Sequence, residues 1–235
     1  MSEQQQKETQ LEEVGNPLEG LDNVQNELNR SAEFVENNIK TLSLAVLALV
    51  AVVLGIFLYK YKVLAPKEVE AANNLYKVQN LFARDSFQLA LDGDENMMGL
   101  LNIIDNYGST DAGEVANAYA GLCYKNLGKY EEAVKFLKKF DKDDKMLTPT
   151  VKGAIGDCYL EMGDEAKAID FYKKAASADN EFVTPIYLHR LGETCLKAGK
   201  ASDALKAFEE LKSKYASSSI AYDVDKFIEL AKAAK

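Results

Sequence analysis

Three glycines recur at a nearly fixed interval: Gly128, Gly163 and Gly199 stand 35 and 36 residues apart. Seven residues before each lies another glycine (Gly121, Gly156, Gly192), and five residues after each lies an alanine (Ala133, Ala168, Ala204). Aromatics keep the same step, with Tyr124 and Tyr159 in the first half of a unit and Tyr172 and Phe208 in the second. A period of this length carrying helical spacing describes a helix, a tight turn and a second helix. The central glycine ends the first helix, where a left-handed residue costs glycine little. The upstream glycine and downstream alanine remove bulk where the two helices cross. One such pair cannot bury its apolar face alone, so pairs must stack.

Three units follow from this register, 114–147, 149–182 and 185–218. Pro149 and Pro185 open the second and third, where a proline suits a first helical turn. The placement of small and aromatic residues resembles the tetratricopeptide repeat, without its first-helix tryptophan. A degenerate unit over 67–107 is expected, with one long helix through KEVEAANNLYKVQNLFARDSFQLAL and a second in NMMGLLNIIDNY. Residues 219–235, with Ile220, Val224, Phe227, Ile228 and Ala231 on one side, read as a capping helix.

Upstream lies a different constraint. The nineteen residues Thr41–Tyr59 carry no charge and are closed by Lys40 and Lys60. At 1.5 Å per residue they make a helix of about 28 Å, close to the thickness of a hydrocarbon core. Forty acidic-biased residues precede the run and no small-x-small site follows it, which argues against a removable signal. The reading is an uncleaved transmembrane helix. Residues 1–17, rich in Gln, Glu and Asn, predict a disordered acidic tail. Residues 18–40 predict an amphipathic helix with Leu21, Val24, Leu28, Ala32, Val35 and Ile39 on one stripe. That stripe suits a helix lying on the membrane surface or loosely packed on its own anchor, or a coiled-coil seam joining copies through residues 18–39. The fold class is thus all-α: a single transmembrane helix, then a right-handed solenoid of tetratricopeptide-type pairs over 60–235 with a terminal cap.

Charge and motif content narrow the function. The net charge is −9, and no basic stripe offers itself to a phosphate backbone, so nucleic acid is not an expected partner. Cys123, Cys158 and Cys195 are too widely spaced for a disulfide framework, and one histidine, His189, leaves no zinc site. No phosphate loop, dinucleotide fingerprint, GxSxG or HExxH is present. No cofactor, metal or enzymatic activity is expected.

What remains is a surface for proteins. The family resemblance implies that first helices line a concave groove. By register this groove takes Ala118, Leu122, Lys125 and Asn126 from the first unit, and Asp157, Leu160 and Glu161 from the second. The third contributes His189, Glu193, Leu196 and Lys197. Apolar floor positions with charges around them suit an amphipathic or unfolded segment.

Acidic tail, anchor and repeats together resemble the bacterial YfgM-type membrane proteins. That resemblance implies a single-pass protein of the inner membrane, with a cytoplasmic N-terminus and periplasmic repeats. It also implies partners among the Sec translocon subunits and periplasmic chaperones. Lys60, Lys62, Lys67 and Lys77 follow the apolar run while only Arg30 and Lys40 closely precede it, and the positive-inside rule then favours cytoplasmic repeats. The alternative function is a structural or assembly scaffold for another membrane complex.

Overall fold

The computed structural model describes residues 17–235, and the chain divides into two units, residues 1–61 and 62–235. The expected tail 1–17 lies outside the described residues apart from Pro17.

Among the described residues the first unit is one helix, α1 (Pro17–Tyr59), 43 residues long. The expected amphipathic helix and the apolar run are one element, because no glycine or proline interrupts the chain between Leu21 and Leu54. An 18-residue window in it reaches a mean hydropathy of 2.8 with none of it buried. By length and composition this helix can cross a membrane.

After a π-helical turn, Lys60–Leu64, the second unit begins with α2 (Ala65–Phe82), α3 (Phe87–Asp92) and α4 (Leu100–Tyr107). The long helix expected through residue 91 is therefore broken. Asp85 turns left-handed at φ 57°, and the Ser86 amide closes the turn on the Leu81 carbonyl at 3.0 Å. The reason is packing. On an unbroken helix Phe82 and Phe87 would point about 140° apart. The break brings their rings edge to face at 5.4 Å, with Tyr119 meeting Phe82 at 5.3 Å. The second expected helix is also shorter, since Met97–Met98 (β2) pairs antiparallel with Gly93–Asp94 (β1).

Three helix pairs follow: α5 (Asp111–Asn126) with α6 (Tyr130–Leu137), α7 (Leu147–Glu161) with α8 (Glu165–Ala176), and α9 (Thr184–Lys197) with α10 (Ala201–Lys214). A 3-10 turn, Ser219–Ala221, leads into α11 (Val224–Ala233). Gly128, Gly163 and Gly199 sit at φ 74°, 81° and 69°. The residue after each glycine donates its amide back to the residue five before it (Lys129 to Tyr124, Asp164 to Tyr159, Lys200 to Cys195). That is the Schellman closure. The upstream glycines each receive one large side chain from their partner helix: Leu137 on Gly121, Tyr172 on Gly156, Phe208 on Gly192. Ala133, Ala168 and Ala204 are fully buried beside them.

Two further ties fix the start of the stack. Glu68 on α2 accepts the Asp111 and Ala112 amides at 2.6 and 2.9 Å, and the Thr110 hydroxyl accepts the Gly113 amide at 2.9 Å. Three of the free amides at the head of α5 are thereby satisfied. At the other end α11 buries Val224, Ile228 and Ala231 against the last pair. The all-α fold predicted from the sequence, a stack of repeat-type helix pairs closed by a terminal helix, is the fold observed.

Candidate protein-binding groove

Equivalent positions on α5, α7 and α9 face one open cleft of about 560 Å³. It is lined by Lys125 and Asn126 of the first pair, Asp157, Leu160 and Glu161 of the second, and Glu193 and Lys197 of the third. The structure thus gathers seven of the eleven residues that register placed in a groove.

Asp157 is the hub. Its side chain is only 15 % exposed and receives three donors from three consecutive pairs. The Tyr172 hydroxyl on α8 donates at 2.9 Å, the Lys125 ammonium on α5 at 3.1 Å, and the Arg190 guanidinium on α9 makes the closest contact. Burial alone would push the Asp157 carboxyl upward, but the Arg190 bond and charge, then the charge of Lys125 and the Tyr172 hydroxyl, hold it below its ordinary value. Burial, with Asp157 beside it, pushes the Tyr172 hydroxyl up, so it stays a neutral donor. Tyr187, stacked on Tyr172 at 6.2 Å, is pushed up to about 12 by burial first and Asp157 second.

The rim is exposed and of mixed sign. Lys197 pairs with Glu165 at 3.3 Å, and Glu193 meets His189 Nδ1 at 3.2 Å. Glu161 has no ion-pair partner among the described residues. Leu122, Leu160 and Leu196 are half-buried, each packed on the core below.

Of the other four expected groove residues, Leu122 and Leu196 do not line the cleft, and Ala118 and His189 lie elsewhere. Ala118 is fully buried among Val134, Leu137 and Ile155; it is one of the small residues that let neighbouring pairs approach. His189 is covered by the cap: its ring meets Phe227 edge-on at 4.7 Å and Phe208 at 5.8 Å. The cap helix takes the space that a fourth pair would have left open.

Sequence reasoning missed Arg190, Tyr172, Tyr130 and Thr194, which also line the cleft. Arg190 did leave a signal. Its repeat equivalents are Tyr119 and Ala154, so a lone cation stands where the other units are apolar. The three cysteines are free and buried. Among the described residues no three His, Cys, Asp or Glu converge as metal ligands.

Stacked helix pairs with a groove along their first helices define the class: a helical repeat protein that presents a surface to other proteins. Residues 119–142 and 150–182 match the family described as Tetratricopeptide repeat. No curated protein matches the sequence. Among solved structures, the chain resembles the TPR-like repeats of a kinesin light chain candidate from Podosopora anserina, with a TM-score of 0.55 and 11% identity. That alignment covers 70% of this chain and 86% of the other. It also resembles MamA, with a TM-score of 0.50 and 15% identity over 70% of this chain and 91% of that one. At such identities the likeness concerns the fold.

Proposed function

We propose that this chain is a membrane-anchored interaction scaffold whose groove takes an extended or amphipathic segment of another protein. Residues 41–59 hold it in the inner membrane as a single span. The repeats stand in the periplasm and the N-terminus in the cytoplasm, serving the secretion translocon or the chaperones that receive emerging chains. The observation that carries the binding reading is the Asp157 hub. It fixes three first helices relative to one another at the floor of the cleft and leaves the half-buried Leu160 and exposed charges to meet a ligand. A preorganised, open groove with Leu160 and tyrosine rings among charges of both signs suits an extended or amphipathic segment.

A second reading has its own support. The lysines that follow the apolar run favour cytoplasmic repeats, which would make the protein a scaffold for a membrane complex on that side. Photo-crosslinking residues placed at Asn126 and Glu161 in the full chain, in intact cells, separate the two. Captured translocon subunits or periplasmic chaperones support the first reading. Captured cytoplasmic subunits, together with protection of a C-terminal tag from external protease in spheroplasts, support the second.

A further inference from the structure

We infer that α1 pairs with α1 of a second copy as a parallel two-stranded coiled coil outside the membrane, an inference that rests on the anchored reading above. Among the described side chains of this stretch, Val24, Leu28, Phe34, Val35 and Ile39 are between 45% and 63% exposed, so nothing in their own unit covers them. Val24, Leu28 and Val35 keep heptad spacing, with Phe34 and Ile39 flanking that seam. With Leu28 and Val35 at position a, Val24 falls at d, Phe34 at g and Ile39 at e. The remaining b, c and f positions from residue 29 to 40 are Asn29, Arg30, Glu33, Glu36, Asn37 and Lys40, all polar and all exposed. A face apolar only at a, d, e and g is what a helical partner in the same register covers.

Charge decides against the lipid surface. Glu27, Glu33 and Glu36 outnumber Arg30 on this stretch before Lys40 is reached, so the polar face repels anionic headgroups instead of lying among them. A second copy meets no such obstacle: Glu27 at g faces the partner's Ala32 at e, and Phe34 at g packs on the partner's Ile39. The two polar seam positions are compatible with burial. Ser31 donates back to the Glu27 carbonyl at 2.8 Å, and Asn38 donates one amide hydrogen to the Phe34 carbonyl at 2.8 Å. That leaves the Asn38 oxygen and second hydrogen for the Asn38 of the other copy, so the polar pair at d is satisfied although it contributes less stability than an apolar one. Because Thr41–Tyr59 is apolar all round, it lets the seam continue without specifying it.

The test is symmetric cysteine crosslinking of the full chain in its membrane, with Cys123, Cys158 and Cys195 replaced by serine. Leu28→Cys and Val35→Cys are compared with Glu33→Cys at position f. The expected result is dimeric product under mild oxidation several-fold above the Glu33→Cys level at both seam sites. Leu28→Asp combined with Val35→Asp should halve the mass measured by light scattering in detergent. Equal crosslinking on both faces, or none on either with the wild-type chain monomeric, overturns the inference. Alkaline carbonate extraction of the same samples keeps the two readings apart. Chain released to the supernatant defeats the anchor, whereas chain retained but not crosslinked at the seam defeats the coiled coil alone.

Discussion

Tyr172 lies against Gly156 so closely that a methyl group on that glycine would fall 2.7 Å from the ring. The same phenol reaches on to Asp157 at 2.9 Å, so one side chain both sets the crossing of α7 with α8 and completes the hub of the groove. Gly156→Leu should overpack this crossing and lower stability by about 1–3 kcal/mol or more. Urea unfolding of the full chain in detergent, followed by tyrosine fluorescence, measures it; an unchanged midpoint would mean the crossing yields freely.

Asp157→Ala leaves Arg190 and Lys125 without their shared counter-ion. Breaking a fully buried pair costs about 3–5 kcal/mol. Because the Arg190 side chain is 43 % exposed, solvent screening reduces the expected loss to about 2–3 kcal/mol. The pH dependence has a definite sign. A carboxyl held below its unfolded value contributes stability that is fully present above that ordinary value, near pH 4, and is lost as pH falls through the folded value. Stability should therefore drop on acidification below about pH 4 in the wild type and drop less in Asp157→Asn. The two acid unfolding curves, compared directly, are the check.

Glu68→Ala removes two of the three caps on the amides that open α5. A lost helix cap costs about 0.5–2 kcal/mol, and here two amides lose one carboxylate acceptor. The expected result is faster hydrogen exchange at Asp111 and Ala112 together with a lowered melting temperature. Exchange that stays slow would show that the helix start is held by other groups.

The cysteines should be inert in the folded chain. Burial pushes the Cys123 and Cys158 thiols up to about 12 and raises Cys195 as well, and thiolate is the reactive form. Thiol titration at pH 8 should find no fast-reacting group natively and all three after denaturation. A native thiol that reacts at once would contradict the packing.

The repeat was legible because its signals are local and covalent in register. A left-handed glycine at 128, 163 and 199 and a crossing glycine seven residues earlier leave few alternatives. The break at 83–86 was not legible, since it depends on Phe82 finding Tyr119, a contact between residues 37 apart. The groove divides along the same line. Register alone placed Asp157, Glu161 and Lys197, but not Tyr172, which comes from a second helix, or the covering of His189 by the cap. Arg190 was visible only as a charge at an apolar repeat position, and its role depends on the length of a side chain reaching across to the neighbouring helix.

The most direct measurement of the central claim is binding of a permanently unfolded polypeptide, such as a reduced and carboxymethylated protein, to the full chain in nanodiscs. Leu160 and Asn126 replaced together by alanine should weaken that binding at least about tenfold, a loss of about 1.4 kcal/mol. Reversing Glu161 and Glu193 to lysine should change its salt dependence. Affinity unchanged in both variants, with folding intact by circular dichroism, would contradict the groove as the binding surface.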